Sequence, residues 1–429
     1  MNARRISVRC LAASLIFLVS ACSSGGGSGS GDGSSASNDS GPGSNDGVDN
    51  GSNSDQAGTG DPAPAGSETL RVSTFNAGLL PQFVPNTDAR VTPVAEAVAA
   101  HDSDVVCLQE LWRPADQQAI ANAIHSRYPY VTIPPAHQKL ASALPVCNAS
   151  DFEPIATCAL TDCLVGSLGF YECLVGTCHD ELETLAAKNP ECAQAVTAQE
   201  GKSALDVLDI EDALLGSSAP AGLFPFDGSS GLMLASNLPL EQVQLVDFFD
   251  ITTTSRRAAI LATVTKNGIR HRVGCTHLQS NLDGLVPYTG KFGSYAGEQQ
   301  AQADRLIGAA ASYGGSDPEY LAGDFNCSRA SSSTGVQDDL GQTCSRFLNS
   351  GYSDPAAQLS CTFCSSNNLN SGKGDLSETR DTVLDHVFVR NPIYPGATAE
   401  KVFTQTVTVA GSPSSLSDHF GVRVSVPVP

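Results

Sequence analysis

The sequence predicts an α/β layered domain whose sheets are covered on both outer faces. Short β-rich runs alternate with helical patterns from Leu70 onward, and the centres of the strand runs are almost wholly apolar. A strand that is apolar throughout must bury both faces, which requires helices or a second sheet on each side. Polar residues then recur at the ends of those same strands.

In chain order, "LRVSTFN" (70–76) reads as a strand and "DARVTPVAEAVAAH" (88–101) as a helix. "DVVCLQE" (104–110) is a second strand, followed by a helix over 114–128. After "GLMLASN" (231–237) come strands "RRAAILATVT" (256–265) and "IRHRVGCTHL" (269–278), then a helix over 295–312. "EYLAGDFN" (319–326), "TVLDHVFVR" (382–390) and "HFGVRVSV" (419–426) complete the strand set.

The chain of 429 residues begins with a basic start, an apolar run and small residues before Cys22. These flanks read as an export signal rather than a membrane span. The order Val19, Ser20, Ala21, Cys22 resembles a bacterial lipobox, in which the cysteine is lipidated and becomes the new N-terminus. Ser23 stands where enterobacterial lipoproteins retained at the inner membrane carry Asp, which points to the outer membrane or cell surface. Residues 23–66 are Ser, Gly, Asp, Asn, Ala and Pro almost throughout and cannot bury a core. As a flexible tether they would span roughly 35–40 Å. The expected organisation is therefore signal and lipid cysteine (1–22), disordered tether (23–66) and folded domain (67–429), displayed from the cell envelope as a monomer.

The net charge of −21 argues against a protein that grips nucleic acid by bulk electrostatics, because phosphate neutralisation needs Lys and Arg. The dense basic cluster, Arg256, Arg257, Arg270 and Arg272, lies on strand text, where alternation splits it between faces. Of 14 cysteines, Cys10 leaves with the signal and Cys22 takes lipid. Residues about 140–222 hold Cys147, Cys158, Cys163, Cys173, Cys178 and Cys192 amid helical text, and read as an insertion with up to three disulfides of undetermined connectivity. "CALTDC" and "CLVGTC" share one spacing, as two stapled helical turns would. Cys327, Cys344, Cys361 and Cys364 read as two loop disulfides. Cys107 and Cys275, inside strand runs, read as small buried hydrophobes.

The strand ends carry the chemistry. Asn76 ends one run, Gln109 and Glu110 the next, His277 and Gln279 a third, Asp324 and Asn326 a fourth; Asp385 and His386 interrupt a fifth, and Asp418 and His419 precede the last. A single Asn or Asp after a strand is an ordinary turn residue. The same apolar-then-polar change on six strands is a site.

Through "FNAGLLP", "CLQELW", "SGLMLAS", "CTHLQS", "GDFN", "LDHVFV" and "SDHFGV", in that order, the chain resembles the endonuclease/exonuclease/phosphatase superfamily. The resemblance spans most of 69–427 outside the Cys-rich insertion. It implies two packed mixed β-sheets flanked by helices, a four-layer DNase I-like sandwich, and a metal-dependent phosphoric ester hydrolase. It further implies Glu110 as the direct ligand of Mg²⁺, with one or two ions and Mn²⁺ as the alternative, Asn76 as helper to metal and phosphate, and Asp418 as a carboxylate near the metal. Asp324 would orient or deprotonate the attacking water, and Asn326 would donate to phosphate. His419 would be the catalytic imidazole, poised by Asp385. His277, in a Thr-His-x-Gln stretch, matches the sphingomyelinase branch, where it donates to phosphate or the leaving oxygen. AP endonucleases use Tyr there, and place Asp where this chain has Gly78. The expected substrate is thus a membrane phospholipid headgroup; a DNase I-like endonuclease, a phosphomonoesterase and a binding lipoprotein that has lost its chemistry are the rivals.

Overall fold

A computed structural model describes residues 68–163, 170–202, 207–313, 315–370 and 380–429. The expected signal, lipid-bearing Cys22 and tether lie outside the described residues.

Two mixed sheets form the centre. The first runs in the order Thr398–Val402 (β10), Gly421–Val428 (β13), Glu68–Leu79 (β1), Val105–Leu111 (β2), Met233–Ser236 (β4) and Tyr130–Thr132 (β3). The second runs in chain order through Glu241–Asp247 (β5), Ala258–Lys266 (β6), Ile269–His277 (β7), Glu319–Asp324 (β8) and Asp385–Arg390 (β9). A separate hairpin joins Thr406–Val409 (β11) to Ser412–Ser415 (β12). The parallel pairs β1–β2 and β7–β8 each need a crossover, supplied by helices Thr87–Ala100 (α1) and Tyr295–Tyr313 (α8).

Strand alternation builds the layers. Leu70 and Val72, Val105 and Cys107, Val273 and Cys275, Tyr320 and Ala322, and Val387 and Val389 meet in one core between the sheets. The intervening residues face outward. Phe75, Val106 and Leu108 pack on α1 and on Pro114–Ile124 (α2). Leu261, Leu321 and Phe388 pack on α8 and on Gly341–Asn349 (α9). The result is the helix–sheet–sheet–helix sandwich that the apolar strand centres require.

The Cys-rich stretch is helical, with Ala149–Cys158 (α3), Phe170–Gly176 (α4), His179–Lys188 (α5), Pro190–Thr197 (α6) and Val207–Leu215 (α7). Its bridges are Cys147–Cys192, Cys158–Cys178 and Cys163–Cys173. The last two form a ladder between the equally spaced pairs. Cys327–Cys344 and Cys361–Cys364 are the loop disulfides.

Cys107 and Cys275 are wholly buried but are not free thiols: they form a disulfide between β2 and β7, with Cα atoms 5.2 Å apart. Inward parity on facing strands brings them together across 168 residues of chain, which no local pattern reveals. The helix expected over 114–128 ends at Ile124, where the amides of Arg127 and Tyr128 turn back to its carbonyl. Strands β3, β5, β10, β11 and β12 fall outside the predicted strand runs; β5, "EQVQLVD", is a polar, mostly exposed edge with no apolar run to announce it.

Candidate active site

The site is the polar end of the core between the sheets. Along the inward-facing positions, apolar side chains give way to Thr74 and Asn76 on β1, Gln109 on β2, His277 on β7, Asp324 on β8 and Asp385 on β9. Register aligns them: Asn76 pairs with Gln109, His277 with Asp324, and Asp324 with Asp385. All of the eight expected site residues except Asp385 and Asn76 line one cleft of about 480 Å³, and those two bond directly to residues that do.

Asp324 is the hub. Its Oδ2 accepts from Asn76 Nδ2 at 2.9 Å and lies 3.4 Å from His277 Nε2 and 4.0 Å from His419 Nε2. Its Oδ1 accepts the Asn326 amide at 2.9 Å. Burial first, then the charge of Asp385, pushes its pKa up to about 7, against the opposing pull of His419 and these hydrogen bonds. Asn326 has φ 48° and its side chain donates to Leu278 O at 3.0 Å, joining the ends of β7 and β8.

His419 donates from Nδ1 to Asp385 Oδ2 at 2.8 Å. Burial lowers its pKa, but the charge and hydrogen bond of Asp385, with Asp324 and Asp418, outweigh that and raise it to about 10. At neutral pH it is an imidazolium whose Nε2–H faces Asp324. His277 is the opposite case. Burial, then the charges of Arg257 and His419, hold it well below the usual histidine range. The Arg257 guanidinium can only donate, and it meets His277 Nδ1 at 2.6 Å. The proton of neutral His277 is therefore on Nε2, aimed at Asp324.

Glu110 would, by strict alternation, turn with Val106 and Leu108 toward the helices. Instead it adopts φ 57° at a break in the β1–β2 register and lines the cleft, half-buried. A left-handed non-glycine is a strained conformation that surrounding structure must hold. Asp418 is set by its neighbours: Asn367 and Asn370 donate to the carbonyls of Ser417 and Asp418, both at 2.9 Å. Gly78, with φ 55°, leaves room for it, since a Cβ there would collide with Asp418 Oδ1. Burial, then the charge of Asp418, raises the pKa of Glu110. Glu110 and Asp418, two carboxylates beside an Asn amide, form an all-oxygen donor set, which suits a hard divalent cation.

Several residues at the site have no motif in the sequence. Arg90, fully buried on α1, donates to Ala77 O, Gly78 O and Leu416 O, tying the end of β1 to the segment that carries Asp418. Arg257 lies 5.4 Å over the Trp112 ring. Glu200 reaches the cleft from the Cys-rich stretch; burial, then the charge of Glu110, pushes it up to about 8, with Arg257 opposing. Trp112 closes the "CLQELW" motif, whereas Arg257 only opens the β6 text, where position next to a strand end was the available signal. The other arginines of the basic cluster are spent structurally: Arg256 pairs with Asp247 at 2.7 Å, Arg272 with Glu319 at 3.0 Å, and Arg270 bonds Gln242.

With this arrangement in place, the comparison with protein families is direct. Residues 73–419 match the model of the endonuclease/exonuclease/phosphatase family, and the chain belongs to that family. No curated protein sequence matches. Among solved structures, sphingomyelinase C from Streptomyces griseocarneus is 19% identical, with 84% of this chain and 99% of that one covered and a TM-score of 0.48. Beta toxin from Staphylococcus aureus is 15% identical, with 83% and 99% covered and a TM-score of 0.47. The structure called SmcL is 13% identical, with 83% and 99% covered and a TM-score of 0.49.

Proposed function

We propose that this chain is an exported, lipid-anchored phosphodiesterase that hydrolyses a phospholipid headgroup by in-line attack of water. The observation that carries the reading is the joined Asp385–His419–Asp324–His277 network. It offers a base, two proton donors and no covalent nucleophile. Asp324, with a pKa near neutrality, suits acceptance of a proton from water. His419, protonated at that pH, suits donation to the leaving oxygen, while His277 Nε2–H and the Asn326 side chain, now directed at Asp324 and Leu278 O, would donate to the phosphoryl oxygens. Glu110 and Asp418 would hold Mg²⁺, with Asn76 bracing the carboxylates; when bound, the ion supplies charge neutralisation at phosphorus. The apolar side of the cleft, with Leu80, Phe83, Leu282 and Leu285, supports a lipid over a nucleic acid, as do the net charge and the structurally engaged arginines.

The test is Mg²⁺-dependent release of phosphocholine from sphingomyelin vesicles by the full chain, beside a supercoiled-DNA nicking control. Release should fall by roughly 10²-fold or more in His419→Ala. Nicking without headgroup release would overturn the lipid reading while keeping the residue roles.

A further inference from the structure

One wall of the cleft comes from a part of the chain that none of the family motifs touches. The Cys-rich stretch contributes Tyr171, Val175, Thr197 and Glu200. Glu200 lies three residues past the end of α6, with its amide bonded to Thr197 O at 3.2 Å. That support is firm: Cys147–Cys192 staples α6, residues Cys192 to Thr197 are all buried, and Gln194 donates to Thr253 O beside the second sheet. The Glu200 carboxyl makes no hydrogen bond or ion pair among the described residues. It is an acid held on a rigid wall without a structural task.

The charges across the cleft are ordered. Arg257 and the His419 imidazolium stand around the phosphoryl position, and Glu200 stands on the Cys-rich side with the Tyr171 ring in its field. A group with an anionic phosphate and a nearby cation matches that sequence of signs. An aromatic ring beside an acid suits an alkylammonium, whose charge would favour the ionised form of Glu200 against the burial and the Glu110 charge that raise its pKa, and whose methyl groups also favour the apolar lining. We propose that Glu200, with Tyr171, forms a subsite for the cationic alkylammonium of a zwitterionic phosphoester headgroup, so that the Cys-rich stretch sets headgroup specificity. This rests on the headgroup-phosphodiesterase reading above.

Calorimetric binding to the full chain with Mg²⁺ present tests it, using phosphocholine, its uncharged isostere 3,3-dimethylbutyl phosphate, and inorganic phosphate. The wild type should bind phosphocholine roughly tenfold tighter than the isostere. Glu200→Gln should erase that gap and leave the isostere's affinity unchanged, with Glu200→Asp restoring part of it and melting temperatures unaltered. Equal affinities in the wild type, or a gap that survives in Glu200→Gln, overturn the subsite while phosphate binding keeps the phosphoryl site. Failure of all three probes to bind overturns both readings. In a second arm, the same proteins meet sphingomyelin vesicles and soluble glycerophosphocholine. A Glu200→Gln loss confined to kcat/KM on the choline ester that the wild type cleaves supports the subsite and identifies the headgroup's source; equal rates overturn it.

Discussion

Asp–His doublets occur twice in this chain, at 385–386 and 418–419, and in each the neighbours serve different partners. On β9, alternation sends Asp385 inward to His419 and His386 outward between Asp354, 3.0 Å away, and Cys327 O, at 2.9 Å. Burial lowers the pKa of His386, but Asp354 overrides it and the value rises to about 9. A histidine raised above its unfolded value of 6.5 stabilises the fold fully below that pH and loses the contribution as pH climbs through about 9. The contribution is at most on the order of 3 kcal/mol. His386→Asn should therefore be less stable than wild type in urea at pH 6, with the difference shrinking steadily toward pH 9.5. A pH-independent difference would mean that packing against Phe388, not charge, holds His386 in place.

At the scale of elements, the two sheets must hold Glu110, at the end of β2, and His277, at the end of β7, in fixed relation. The Cys107–Cys275 bridge links those strands three residues before Glu110 and two before His277. Cys147–Cys192 shortens the enclosed loop of 168 residues only in part, so removing the Cys107–Cys275 bridge should destabilise the fold by up to about 5 kcal/mol in the chain-entropy account. Cys107→Ala with Cys275→Ala should shift the urea midpoint down and lower kcat at temperatures where the variant is still folded. An unchanged kcat would show that packing alone aligns the sheets. Arg90 serves a similar purpose on the first sheet, where one guanidinium bonds both the β1 end and the segment before Asp418.

For the whole molecule, the net charge and the proposed lipid anchor would together set where the domain works. A body with net charge −21 gains nothing from a polyanion at long range, whereas a zwitterionic surface neither attracts nor repels it strongly. In the proposed reading, attachment would come from a lipid on Cys22. Cys22→Ala, expressed with its signal, should move the protein from the membrane fraction to the soluble fraction while hydrolysis of a soluble ester stays the same. Retention in the membrane fraction would place the attachment in the folded domain instead.

The strand ends were legible because alternation is local: a run that is apolar on its inward positions and then turns polar, as at Asn76, His277 and Asp324, announces itself within a few residues. The order of those runs, matched to a family, also carried the pairing of His419 with Asp385. By itself, then, the sequence determined the layers, the residues at the polar end of the core and the stapled repeat of the Cys-rich helices. Only the tertiary structure decided that Cys107 bonds Cys275, that Glu110 reaches the cleft through a left-handed backbone, and that Arg257 and Glu200 join the site. Each of these depends on contact between segments far apart in the chain or on a single dihedral angle, and neither leaves a periodic trace in the residues around it.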